Sequence, residues 1–291
     1  MNLLIWATVP IADTNRSIPD WRIAEGIGHR VAFSTAGLEW TPDAIVCMSI
    51  SRMREAEASA DYWPHVPLFV YQWDAYEWVW LRPRPSEYDY NRWGNLLKRA
   101  REIWVPSNCA GHRTEEWWGL KNWRTILSSA PCWDHDHVHD GGYALCTLRE
   151  IPDPRWGWFE RACDELAIKY YSSNHERTYT DYQDLVAGCR LLCSPLYELS
   201  TGGLTLLEGY RLGKPVLLSN SPYHGGADYM GERAWYFQHD DFEQFKQELW
   251  RMYYDTPPAR PDQREWVDAH FSDARMVHDM LNRIACRVKN P

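Results

Sequence analysis

The strongest constraint on this chain is an alternation that runs twice. Short apolar runs stand at 3–7, 30–34, 44–48, 67–71, 103–106 and 125–127, with amphipathic stretches near 90–101 and 108–119. A run that is apolar at nearly every position predicts a strand buried on both faces. Such strands, joined through helices, form a parallel sheet covered on both sides. The pattern breaks at the polar stretch Asp134, His135, Asp136, His137, Val138, His139, Asp140, Gly141, Gly142 and then restarts. Strands are expected at 143–148, 167–171, 190–193, 215–218 and 234–237. Helices are expected at 154–166, 181–188, 203–212, 241–254 and 264–288. The fold class is therefore α/β, with two Rossmann-like doubly wound domains facing a cleft. The expected division is a first domain at 1–132, a linker at 133–142 and a second domain at 143–263. A C-terminal helix within 264–291 is expected to pack back toward the first domain.

Length and charge agree with this. A chain of 291 residues exceeds the usual single-domain size. The formal net charge of −9 argues against a general binder of nucleic acid or anionic membrane. Residues 1–132 carry 14 basic and 15 acidic side chains, and 133–291 carry 17 and 25, so a polyanion would meet least repulsion in the first half. No apolar run is long enough to cross a membrane, and Met1 to Pro10 reads as a strand rather than a leader. The eight cysteines include no Cys-x-x-Cys pair, so reduced thiols in a soluble cytoplasmic protein are expected. Cys132, Asp134, His135, Asp136, His137 and His139 resemble a metal cluster in composition, but a solvated linker and no metal is the expected reading.

The most informative segment runs from Cys193 to Val216. A strand ends at a loop with paired glycines, Gly202 and Gly203, and a helix follows. Free backbone N–H groups at a helix N-terminus favour an anion. Gly202 and Gly203 allow close backbone approach. Glu208, on the same helix, is placed to bind vicinal hydroxyls. On the residues alone, a plain strand–loop–helix with a glycine turn is equally open.

The run Gly203, Leu204, Thr205, Leu206, Leu207, Glu208, followed by Gly213, Lys214, Pro215, Val216, resembles the donor-site signature of glycosyltransferase family 4. Val105 to Asn108, Ile126 to Pro131, Asp184 to Leu192 and Ser219 to Asp241 fit the same family in order. The resemblance implies a GT-B fold and retaining transfer from a nucleotide sugar, UDP- or GDP-linked, with no metal or other cofactor. It implies Gly202, Gly203, Leu204 and Thr205 on the diphosphate with Arg149 and Arg155, and Glu208 on the ribose.

The chain departs from the family in three places. The position of the first signature glutamate is held by Ser200, with Glu198 two residues earlier, so either can take that role. Val9 to Thr14 replaces a glycine-rich loop. Trp73 stands where many members have histidine, before the candidate reaction-side residue Asp74. Between Tyr76 and Arg101, aromatic and basic residues interleave, and Trp78, Trp80, Arg82, Arg84, Arg92 and Trp93 are the acceptor-side candidates. The expected acceptor is a saccharide or small-molecule hydroxyl. A hydroxylated base in DNA is the alternative that these aromatics and cations would suit. A non-catalytic nucleotide-sugar-binding protein is the third possibility.

Overall fold

The computed structural model describes residues 1–7, 19–72, 87–130, 133–146, 155, 157–172, 179–196, 203–255 and 259–289. The chain forms two compact units, residues 1–129 with 271–291, and residues 130–270. Both are α/β units built on a wholly parallel sheet.

The first sheet contains β1 (Asn2–Trp6), β2 (Arg30–Ala32), β3 (Ala44–Cys47), β4 (Leu68–Tyr71), β5 (Glu102–Val105) and β6 (Trp123–Thr125). Their order is β2-β1-β3-β4-β5-β6. The continuous apolar runs sort their side chains by alternation. Leu3, Ile5, Val46, Phe69 and Trp104 enter one core, and Leu4, Trp6, Ile45, Val70 and Ile103 enter the other. The first core is met by Ala24 of α1 (Arg22–Gly26). The second is met by Met53 and Ala56 of α2 (Met53–Tyr62), Leu96 and Leu97 of α3 (Glu87–Arg99) and Ala110 of α4 (Asn108–Trp118). Ser107 caps α4, its hydroxyl accepting from Ala110 N at 3.2 Å.

The second sheet contains β7 (Ala144–Cys146), β8 (Tyr170–Ser172), β9 (Leu191–Ser194), β10 (Val216–Ser219) and β11 (Trp235–Phe237), ordered β11-β10-β9-β7-β8. Its helices are α5 (Trp158–Glu165), α6 (Tyr179–Gly188), α7 (Leu204–Arg211), α8 (Gly225–Met230), α9 (Phe242–Tyr254) and α10 (Gln263–Phe271). One face buries Ala144, Leu191, Leu217 and Phe237 against Phe159 of α5 and Phe245 and Leu249 of α9. Against β9, α7 approaches so closely that a Cβ on Gly209 would lie 2.0 Å from Leu192 Cδ1, so a larger residue there would require the Leu192 side chain to shift.

The last helix, α11 (Asp273–Lys289), belongs to the first unit. Its Met276, Val277, Met280 and Ile284 complete the first core. The single helix expected over 264–288 is thus two helices, interrupted at Ser272, whose hydroxyl accepts from Arg275 N at 3.3 Å. The stretch expected as a solvated linker is part of the second unit. Asp134 accepts from Arg211 at 2.9 Å and Arg264 at 2.8 Å, and Asp140 pairs with Arg190 at 2.9 Å. Among the described residues, three α-helices had no expectation in the sequence. Most of what α2 buries is small, Ala56, Ser59 and Ala60 alongside Met53; α1 is five residues long; and α8 opens on two glycines, poor helix formers.

Cys47, Cys109, Cys146, Cys163, Cys189 and Cys193 are buried free thiols. Burial pushes the Cys47 and Cys189 thiols up to about 12, so both stay protonated at neutral pH. Among the described residues, no helix is long and apolar enough to cross a membrane.

α11 is also fixed by charge. Glu102, on β5, is 1% exposed and accepts from Arg283 Nε at 2.7 Å, Arg287 Nε at 2.9 Å and Trp104 Nε1 at 3.1 Å. Burial alone would raise its pKa, but Arg283, Arg287 and Trp104 outweigh it and hold the carboxyl below its usual range. Removing one partner of a buried pair leaves the other charge uncompensated, at a cost of about 3–5 kcal/mol. Glu102→Gln is therefore expected to lower the urea midpoint sharply at pH 7. The stabilisation from Glu102 is present above the unfolded glutamate pKa of about 4.3 and lost as pH falls through the lower folded value. The difference between wild type and variant should accordingly shrink in acid; a midpoint unchanged at pH 7 would refute the assignment.

Candidate functional site

In a doubly wound sheet, ligands bind beyond the carboxyl ends of the strands where the strand order reverses. In the second sheet that point lies between β7 and β9. The two segments leaving it are those after Cys146 and after Ser194. They contain the expected donor residues Arg149 and Gly202 and the reaction-side candidates Glu198 and Ser200, all outside the described residues. Topology and motif thus point to one place by separate routes.

The described part of this site is α7 and its surroundings. Gly203 holds φ 78° and ψ 104° at the N-cap, a left-handed backbone that suits glycine. The N-cap residue is a glycine and so supplies no side-chain cap to the first turn of α7, whose end carries the positive pole of the helix dipole. Thr205 stands in that first turn and Glu208 one turn further on the same face. Glu208 is 2% exposed. A carboxylate this buried requires hydrogen-bond partners. One is Tyr182 of α6, whose hydroxyl donates to Glu208 Oε2 and lies 2.7 Å from Thr205 Oγ1. Leu204 is half-buried at the start of the helix.

Behind α7, Arg211 is 7% exposed and donates to Asp268 Oδ1 at 2.6 Å, Asp134 Oδ1 at 2.9 Å and Trp133 O at 2.8 Å. Lys214 Nζ donates to His139 O at 2.6 Å. These contacts fix the C-terminal end of α7 and the turn after it to the segment that opens the second unit and to α10.

Arg155 was expected to face a diphosphate. Its guanidinium instead donates from Nε to His239 O at 2.9 Å and from Nη2 to Asp240 Oδ1. The hydrogen bond from Arg155 holds the Asp240 carboxyl below its usual range. Arg155 is therefore a tie between the segments after β7 and β11. Of the acceptor-side candidates, Trp78, Trp80, Arg82 and Arg84 lie outside the described residues, as does Asp74. Trp93 is corrected: it is 2% exposed, packed in the second core of the first unit, and its indole N–H donates to Gln72 Oε1. A ring buried there has no face for a sugar or base. Arg92 donates to Glu57 Oε2 at 2.6 Å and Arg99 to Asp61 Oδ1 at 2.8 Å, so both are partnered with carboxylates of α2.

The polar stretch before β7 shows a ladder of local bonds. His135 Nε2 lies 2.8 Å from Asp184 Oδ1, His137 N donates to His135 Nδ1 at 3.1 Å, and His139 Nδ1 lies 2.8 Å from His137 O. Among the described residues, no three His, Cys, Asp or Glu side chains are grouped as metal ligands.

Sequence reasoning missed one buried polar group at the carboxyl edge of this sheet. His224, at the N-cap of α8, is 1% exposed, and its Nε2 lies 2.8 Å from Oγ of Ser194, the last residue of β9. Among the described residues, no other residue supplies a hydrogen-bond partner to Nδ1. Ser219 and Ser221, at and after the end of β10, are buried beside it in sequence. A histidine ahead of Gly225 and Gly226 was visible as a residue, but nothing in its spacing signalled burial.

No protein-family profile matches this sequence, and no curated protein matches it. Solved structures do. The Anabaena protein HepE, solved with UDP and glucose, is similar over 98% of this chain and 100% of its own, at 12% identity and a TM-score of 0.67. A glycosyltransferase from Rickettsia africae covers 90% of this chain and 86% of its own, at 12% identity and a TM-score of 0.60. Sucrose-phosphate synthase from Thermosynechococcus elongatus covers 86% and 75%, at 14% identity and a TM-score of 0.59. At these identities the likeness is one of fold, and the fold is GT-B.

Burial pushes the His224 imidazole down to about 4. In the unfolded chain it titrates near about 6.5. Below that pH the unfolded state takes up a proton that the folded state refuses, so stability falls with pH until about 4 and this loss then stops. The slope is about 1.4 kcal/mol per pH unit, or roughly 3 kcal/mol over the window. Denaturant unfolding of wild type and His224→Asn from pH 7 to 4 should show a steeper loss in wild type. Parallel curves would exclude a buried neutral histidine.

Proposed function

We propose that this protein is a retaining glycosyltransferase that moves a sugar from a nucleoside diphosphate sugar to a saccharide hydroxyl. One observation carries the reading. The carboxylate that the sequence signature marks for the donor, Glu208, is buried on a helix that starts at left-handed Gly203, beside the strand-order reversal of the second sheet. Support for a nucleotide-sugar donor comes from structures of the same fold: HepE was solved with UDP-glucose as well as with UDP.

In this reading Glu208 accepts from the ribose hydroxyls. The diphosphate rests on the backbone N–H groups of Gly202 to Thr205, with Arg149 as its cation. Negative charge grows on the leaving diphosphate as the glycosidic bond breaks, and fixed N–H dipoles and a cation stabilise that charge without reorganising. Glu198 or Ser200 stands on the reaction side, and Asp74 on the acceptor side.

A hydrogen bond to a charged group contributes roughly 1.5–3 kcal/mol. Glu208→Ala should weaken UDP or GDP binding about 10- to 150-fold by calorimetry while the thermal transition is retained; equal affinity would remove Glu208 from the donor site. Because the helix N-terminus and a cation balance the diphosphate, transfer should proceed in EDTA. Loss of transfer in chelator, restored by Mg²⁺ or Mn²⁺, would overturn the metal-free reading. Both assays use a panel of UDP- and GDP-sugars with oligosaccharide acceptors.

A further inference from the structure

The contact between α6 and α7 has a chemistry that the donor reading leaves unused. Tyr182 reaches two residues of α7 with a single hydroxyl, Thr205 Oγ1 at 2.7 Å and Glu208 Oε2. A phenol has one proton, and between a hydroxyl and a carboxylate the charged acceptor makes the stronger bond. The proton therefore points at Glu208. The contact with Thr205 holds the phenol over the first turn of the helix, so it cannot swing away from the carboxylate.

A glutamate side chain has three rotatable bonds, and a buried carboxylate can serve a ligand only if its rotamer is set in advance. Its two oxygens accept about four hydrogen bonds in all, so one bond from Tyr182 does not by itself saturate the carboxylate. Tyr182 and Thr205 thus join the turn expected to hold the diphosphate to the carboxylate expected to hold the ribose. Replacing Tyr182 by Phe keeps the ring and removes the hydroxyl that makes both contacts.

We propose that Tyr182 is a positioning residue for the donor ribose, fixing Glu208 through its hydroxyl while it is braced against Thr205. This rests on the reading of Glu208 as the ribose ligand. It makes a specific demand: the effect of Tyr182 on binding must pass through the ribose hydroxyls and through no other part of the nucleotide.

The test is calorimetric binding of UDP and GDP, and of their 2′,3′-dideoxy counterparts, to wild type, Tyr182→Phe, Glu208→Ala and the double variant. Thermal melts confirm that each is folded. Tyr182→Phe should lose about 5- to 15-fold in affinity for the ribonucleotide. It should bind the dideoxynucleotide as wild type does. In the Glu208→Ala background, Tyr182→Phe should cost nothing further. Tyr182→Glu208 coupling is overturned if Tyr182→Phe binds UDP and GDP as wild type does while Glu208→Ala is weakened, an outcome that leaves the ribose reading standing. Equal losses on ribo- and dideoxynucleotide would make Tyr182 a merely structural residue and also overturn it. If Glu208→Ala binds as wild type does, or wild type binds neither nucleotide, the ribose reading fails and the proposal fails with it.

Discussion

A strand that is apolar on both faces must be covered on both faces, and the rest of this molecule follows from that requirement. Alternate residues of β1, β3, β4 and β5 enter two separate cores, so each needs its own helices. Helices on both faces require crossovers between parallel strands, and crossovers leave from the carboxyl edge. Reversal of strand order then opens a crevice at that edge in each sheet. Cover, connection and crevice are thus consequences of one pattern.

Within that crevice, burial and charge are combined deliberately. Glu208 is nearly inaccessible, yet it is a carboxylate, and Tyr182 is the kind of partner that makes such burial tolerable. Gly209, the next residue, lets α7 lie against Leu192. Arg211 then binds two aspartates behind the helix. Three residues of one short helix thus carry a buried carboxylate, let the helix lie close to β9 and anchor its far end.

The sequence made the sheets legible and parts of the site illegible, for identifiable reasons. Buried parallel strands announce themselves as unbroken apolar runs, and both sheets were expected near the segments where they stand. α2 was silent because alanine and serine make much of its buried face, and α8 because glycines begin it. Trp93 read as surface because aromatic and basic residues alternate around it, but its helix turns that ring inward onto Gln72. Glu208 stood out in the sequence through its motif, and the structure shows it buried. Tyr182, 26 positions earlier on another helix, did not stand out, because a contact between helices has no periodicity to betray it. Arg155 was marked by charge and neighbourhood, but its contact with Asp240, 85 positions later, had no signal in the sequence.

The first unit is closed by the last helix of the chain. During synthesis the strands β1 to β6 emerge first, followed by the whole of residues 130–270, and only then by α11. Until that moment Glu102 has neither arginine, and Leu3, Ile5 and Phe69 lack Met276, Met280 and Ile284. The second unit is contiguous in sequence, whereas the first is completed only by α11. Domains ordinarily fold from the N-terminus as they are made. Here the closing helix of the first unit follows the whole of the second in the chain, so a chain that stops short of residue 271 lacks the helix that supplies Met276, Met280 and Ile284 to the first core.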